Sequence, residues 1–313
     1  MNKILITGGT GSLGQALVAR YKDRYDLTVL SRNPHRQQQL QEQFDLPPSV
    51  FVLADVCDYE AVYQACLGKD ILIHAAALKV VSLGEQFPSE YYRVNAVGSQ
   101  VVARAWAATN HTEDSYGKPH IPRRALYINS DKSVSPINTY GCSKRCGEAA
   151  FISLGFSSIR YGNVVESQGS FIHKWGEALK KGNPIQVRNP NPTRFFLSIA
   201  EAMDLIDDAL LTMESQNGVF VPHSLPRFDI HAVATAITDA VNICNAPLQP
   251  GEKQHEILIQ EGEVTKMVSD KLAIVSPGRT SESVAMYNSQ TAFRMTGQEV
   301  LDRLGIKSER ETA

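Results

Sequence analysis

Short apolar runs alternate with stretches of helical spacing through the first half of this chain. Lys3–Thr7 and residues 27–30, 50–54, 71–74, 125–129 and 158–161 have the length and β-branched content of buried strands. Most of the intervening segments repeat their apolar positions at helical spacing. This alternation predicts an α/β chain built as a doubly wound parallel sheet with helices on both faces. From about residue 162 the rhythm loosens, with prolines at 184, 190, 192, 222, 226, 247 and 250. We expect a sheet domain over 1–161 and a smaller, loop-rich lobe over 162–313, exchanging segments rather than joined by a linker. Residues 110–124 read as an elongated loop, Gln37, Gln38 and Gln39 as part of a solvated polar helix, and 297–304 as a helix near a polar tail.

The first strand runs straight into Gly8-Gly9-Thr10-Gly11-Ser12-Leu13-Gly14, after which Leu17, Val18 and Tyr21 mark one face of a helix. Glycines let a backbone turn tightly and approach a pyrophosphate, and the free N–H groups of the following helix attract its charge. Strand, glycine turn and helix together predict a dinucleotide site of Rossmann type. The end of the second strand bears on which dinucleotide binds. An acidic residue there suits the ribose of NAD, whereas Ser31-Arg32, with Arg36 following, suits the 2'-phosphate of NADP. NADP is therefore expected, the other reading being that these cations merely solvate a helix start. Asp55 and Val56 follow the third strand, where the adenine would lie, and Ala75 and Ala76 follow the fourth, small enough for a cofactor to pass.

Tyr140 and Lys144 bring in chemistry. Four residues apart on a helix, they share a face, and a cation beside a phenol lowers its pKa toward that of a usable base. The spacing alone is common. Its position just after Ser130-Asp131-Lys132, at the end of a predicted central strand, gives it weight, because open α/β sheets place ligands at strand ends.

Composition narrows the class. The 313 residues carry a net charge of -2, which gives no electrostatic footprint for nucleic acid. No apolar run is long enough for membrane insertion, and Met1-Asn2-Lys3 leads directly into a strand, so a cytoplasmic protein is expected. Five cysteines without metal-ligand spacing read as reduced thiols, with Cys142 and Cys146 as small residues packed on a helix and no metal expected.

Five runs carry a resemblance: residues 74–79 (HAAALK), 130–144 (SDKSVSPINTYGCSK), 160–164 (RYGNV), 193–196 (TRFF) and 251–256 (GEKQHE). Together they are similar to the soluble, C5-inverting UDP-N-acetylglucosamine 4,6-dehydratases, within the extended short-chain dehydrogenases/reductases. Hexose dehydratases that retain C5 resemble the chain too but carry an acidic residue where Lys132 stands. Membrane-anchored relatives tend to have Met at the position of Tyr140. The chain departs from the pattern at Val80-Val81 and over residues 166–170.

The resemblance implies NADP chemistry on a UDP-sugar by a homo-oligomer. Tyr140, with Lys144, would take the O4 proton during oxidation at C4. A neutral Lys132 would remove the C5 proton, and a protonated Asp131 would donate to the departing O6 hydroxyl. Asn95, Tyr140 and Lys144 would join the cofactor set, and Lys79 would reach cofactor or sugar. Ser130 would bond O4, Asn163 and Arg194 the diphosphate, and Glu252 the uridine ribose. Alternatives are C4 epimerisation, a dehydration stopping at a 5,6-alkene, or a non-catalytic nucleotide sensor, which would not need Asp131, Lys132, Tyr140 and Lys144 together.

Overall fold

A computed structural model describes residues 1–109, 123–165, 170–189, 191–277 and 286–306. Its centre is a nine-stranded sheet. β1 (Lys3–Thr7), β2 (Asp26–Ser31), β3 (Phe51–Leu53), β4 (Ile71–His74), β5 (Arg124–Ile128) and β6 (Ser157–Ile159) lie in the order β6-β5-β4-β1-β2-β3, all parallel. Beyond β6 the sheet takes strands from the second half of the chain. Val219–Pro222 runs parallel to β6, and Leu272–Pro277 and Glu263–Met267 follow antiparallel.

Buried on both faces, such strands must be apolar throughout. In β1, Ile4 and Ile6 enter the core on one side of the sheet and Leu5 the core on the other. In β4, Ile71 and Ile73 oppose Leu72 in the same way. α1 (Ser12–Tyr21) lays Gly14, Leu17, Val18 and Tyr21 on the sheet, and the Tyr21 hydroxyl donates to Asp207 at 2.6 Å. α2 (Pro34–Phe44) and α3 (Tyr59–Cys66) follow β2 and β3. Strand order reverses between β1 and β4, which opens a crevice at their carboxyl ends.

The lobe has its own core, including Trp175, Phe196, Phe228 and Leu301, around a four-stranded sheet of Arg294–Met295, Arg227–Asp229, Thr193–Leu197 and Asn163–Val164. The expected helix at Gly297–Leu304 is present, started by a capping box between Thr296 and Glu299. Among the described residues, no helix is long and apolar enough to cross a membrane. Of the expected 110–124 loop, residues 110–122 lie outside the described residues, and Arg124 already belongs to β5.

Gln37 corrects the reading of a solvated helix. It is buried, and its side-chain amide donates to the Ser31 carbonyl, the Ser31 hydroxyl and the Val52 carbonyl. A buried amide at that point replaces water for the backbone where β2 and β3 end. Cys142 and Cys146 are exposed rather than packed, because Tyr140 and Lys144 occupy the buried face of their helix.

Candidate active site

The turn after β1 is shaped by absent side chains. Gly8 has φ of +74°, and a β-carbon there would lie 2.6 Å from the Ala76 Cα at the end of β4. A β-carbon on Gly14 would lie 2.3 Å from the Gly8 carbonyl oxygen, so glycine is what lets α1 press against the turn. α1 begins after Gly11 with no side-chain cap, leaving backbone N–H groups for an anion. Thr10 is buried, with its carbonyl accepting from Gln15 at 3.3 Å, while Leu13 packs partly on the core below. Ser12 opens the helix, and Ala75 and Ala76 line the opposite side of the crevice.

At the end of β2, Ser31 is buried, whereas Arg32 and Arg36 are exposed. Arg32 lies 3.8 Å from Asp55, and the Arg36 side chain has no partner among the described residues. Burial works against a charged Asp55, but hydrogen bonds from Cys57 and Arg93 outweigh it and hold its pKa low. Val56 faces the core against Gly98, so only its backbone is placed to meet a ligand. Asn95 is fully buried in a π-helical segment, Tyr92–Gly98. It accepts from the Leu78 N–H at 2.8 Å and donates to the Leu78 carbonyl and Ser143. Asn95 thus fixes the backbone before Lys79 to the helix that carries Tyr140. Lys79 is exposed at the rim, unpaired among the described residues, and its pKa is lowered by desolvation.

Asn138 caps the helix Thr139–Ser153, its side chain accepting from the Gly141 N–H at 2.6 Å. Gly141 allows this helix to abut the turn Asp131–Ser133. Tyr140 is buried, with its ring edge-on to Tyr91 at 6.4 Å. Burial pushes the Tyr140 phenol up, opposed by the Lys132 charge and a hydrogen bond with Ser130. This corrects the expectation that Lys144 depresses it. The Lys144 ammonium instead donates to the Ile128 carbonyl at 2.6 Å and sits 4.0 Å from the centre of the Tyr127 ring. Burial lowers Lys144 to about 7, partly offset by Glu148.

A second correction concerns Lys132. Its Nζ lies 3.1 Å from Asp131 Oδ1, 3.1 Å from Glu256 Oε1 and 3.1 Å from Asn163 Oδ1. Desolvation disfavours its charge, but the two carboxylates win and raise its pKa well above the ordinary value. Lys132 is therefore a held cation rather than a neutral amine. Asp131 is fully buried. Its Oδ1 accepts from Ser130 at 2.9 Å, its Oδ2 has no hydrogen-bond partner among the described residues, and burial raises its pKa despite Lys132. A carboxyl in that state favours its protonated form.

Arg194 and Glu252, expected to meet substrate separately, pair with each other at 3.1 Å. Arg194 also donates to the Thr193 and Gln254 carbonyls, so its buried guanidinium holds the 252–256 segment in place. Ser130, Asp131, Lys132, Tyr140 and Asn163 form one cluster. Lys79, Arg32 and Arg36 are exposed, after β4 and β2.

The profile of a family described as "Polysaccharide biosynthesis protein" matches residues 4–276. The chain belongs to that family. It is 31% identical to a UDP-glucose 4-epimerase of Rickettsia bellii over 284 residues, 84% of this chain and 79% of the epimerase. The X-ray structure of Pen from Bacillus thuringiensis superposes with a TM-score of 0.83 at 26% identity, covering 97% of this chain and 98% of Pen. DesIV, a dTDP-glucose 4,6-dehydratase from Streptomyces venezuelae solved with NAD and TYD bound, superposes with a TM-score of 0.64 at 16% identity over 80% of this chain and 86% of its own, a likeness of fold.

Within this member of the polysaccharide biosynthesis family, sequence reasoning missed Glu256 and Lys253. Lys253 donates to the Val134 carbonyl at 2.6 Å, beside the Asp131 turn. Both lie in the GEKQHE run that carried part of the resemblance, but nothing local says that Glu256 reaches Lys132.

Proposed function

We propose that this protein is a 4,6-dehydratase that inverts C5, acting on UDP-N-acetylglucosamine with NADP bound. The observation that carries the reading is the buried Asp131 carboxyl, with one oxygen unpartnered among the described residues, beside Ser130 and Lys132, whose charge acts on the buried Tyr140 phenol. Elimination needs an acid at O6, a base at C5 and a base at O4, and the cluster contains a candidate for each.

The cofactor fits the residues present. Gly8 and Gly14 keep open a turn that β-carbons would block, the uncapped start of α1 suits a pyrophosphate, and exposed Arg32 and Arg36 suit a 2'-phosphate. NADP held there would supply a hydride acceptor for C4 and a hydride donor for C6. Tyr140 takes the O4 proton, with Lys132 and Ser130 stabilising its ionised form. Asp131 gives its proton to the O6 hydroxyl, which leaves as water. Lys132 removes the C5 proton, which the 4-ketone makes acidic, and a proton delivered to the opposite face leaves C5 inverted. Lys79, exposed after β4, would reach the cofactor or the sugar nucleotide.

C4 epimerisation is the second reading, favoured by the name of the Rickettsia bellii relative. An epimerase has no use for a proton donor at O6. Incubation with UDP-N-acetylglucosamine in deuterated water, followed by NMR and mass spectrometry, separates the two. The dehydratase gives loss of water and deuterium at C5 of an inverted 4-keto-6-deoxy sugar. An epimer of unchanged mass, without deuterium, would replace this reading.

A further inference from the structure

Two carboxyls 3.1 Å from the Lys132 Nζ favour its charged form, so it must lose a proton before it can act as a base, and the geometry shows where that proton can go. Glu256 Oε1 lies 3.1 Å from Nζ, and Glu256 Oε2 is buried with no hydrogen-bond partner among the described residues. The carboxylate is firmly anchored. Its backbone N–H donates to the Ser289 hydroxyl at 2.9 Å, and its carbonyl accepts from the Ser289 N–H at 2.8 Å. Ser289 is itself fully buried and donates to the Thr193 carbonyl at 3.1 Å, which ties the carboxylate to the lobe. Glu256 therefore reaches Lys132 from the lobe, while Asp131 reaches the same ammonium from the end of β5.

We propose that Glu256 is the proton acceptor that converts Lys132 from a cation into the base acting at C5, a positioning residue that works through Lys132 rather than on the sugar. The idea rests on the dehydratase reading above. The step balances. Before elimination the cluster holds protonated Asp131, ammonium Lys132 and carboxylate Glu256, with net charge zero. An N–H bond of Lys132 breaks and an O–H bond of Glu256 forms, leaving a neutral amine. The C5–H bond then breaks and a new N–H bond forms, while Asp131 gives its proton to the departing O6 hydroxyl and water leaves. The cluster ends as carboxylate Asp131, ammonium Lys132 and protonated Glu256, again with net charge zero. No uncompensated charge is created in a buried site at any stage, a condition that such sites enforce strongly.

The groups facing Glu256 agree with its role. Burial disfavours its charge, but Lys132, Arg194 at 3.9 Å and Lys253 outweigh that and keep it ionised, while Asp131 is the member pushed toward its protonated form. Of the two carboxyls on the ammonium, one begins as donor and the other as acceptor.

The test uses the full chain with NADP, comparing wild type, Glu256→Gln and Glu256→Asp. Three quantities are read: NADPH formed in a single turnover with UDP-N-acetylglucosamine, conversion to the 4-keto-6-deoxy sugar, and release of label to solvent from substrate deuterated at C5, the hydrogen on the face that Lys132 meets. Glu256→Gln is expected to keep NADPH formation while label release and dehydration fall by about 100-fold, the scale of a lost proton-transfer group. Its residual label release should rise with pH where wild type is flat, because Lys132 must then lose its proton to solvent. Glu256→Asp should recover part of the rate. Wild-type label release in Glu256→Gln would overturn the proposal. So would loss of NADPH formation in both variants, which would make the carboxylate merely structural. Wild type that neither forms keto sugar nor releases label would instead overturn the dehydratase reading.

Discussion

Gly141 faces the Lys132 carbonyl so closely that a β-carbon there would lie 2.2 Å from the oxygen. The missing side chain sets the spacing between the helix bearing Tyr140 and the turn bearing Asp131 and Lys132. Gly141→Ala must push the two apart. We expect a loss of about 1–3 kcal/mol in stability from overpacking. Turnover should fall by roughly 100-fold, since displacements near 1 Å already carry that penalty. Thermal melts and kcat on the same preparation check both.

Asp131→Asn keeps the shape of the turn and removes the proton. Oxidation at C4 should survive, while loss of water slows by about 100-fold or more. Enzyme mixed with UDP-N-acetylglucosamine should then accumulate NADPH absorbance. Full turnover by this variant would remove Asp131 from the chemistry.

Tyr140→Phe removes the phenol from a site where it packs edge-on against Tyr91. NADPH formation itself should drop by about 100-fold or more, with NADP affinity falling far less. A stopped-flow trace against a binding titration distinguishes lost chemistry from a lost site.

Arg32 and Arg36 stand exposed at the end of β2. Replacing both with alanine should weaken NADP by about 10- to 100-fold, the scale of lost charge-assisted hydrogen bonds, and leave NAD nearly unaffected. Calorimetric titration of both dinucleotides measures the ratio, and equal losses for the two would point away from a 2'-phosphate site.

Lys144 supplies a pH dependence of stability. Burial holds its pKa at about 7 in the fold against an ordinary 10.5. Between those values the unfolded chain binds the additional proton, so stability from neutral Lys144 is complete above the upper value and is lost as pH falls through the lower. Lys144→Met removes this titration. Melting temperatures taken across the window should shift in favour of the variant as pH falls, whereas a constant gap would mean that the ammonium is not desolvated.

Features set by neighbours in sequence were legible in the chain. β1, the glycine turn and α1 follow one another directly, and the apolar runs located all six leading strands to within about two residues, the usual uncertainty of an element end. The Tyr140 and Lys144 helix was legible from spacing, and so was its adjacency to Asp131. The protonation states were not. Lys132 is held as a cation by Asn163 and by Glu256 from the other half of the chain, and Lys144 turns toward a backbone carbonyl and the Tyr127 ring, partners that no local pattern announces. Gln37 misled for a related reason, since a polar residue inside a glutamine run looks solvated until the strand ends that it bonds are known.

The strands that the second half lends to the sheet leave no clean seam near residue 161. Severed there, β6 would lose Val219–Pro222 and present a bare row of backbone groups, the kind of edge on which one chain pairs with another. Fragments made at that point would be sticky remnants rather than working modules. The nascent chain therefore carries that bare edge of β6 until Val219–Pro222 has been made.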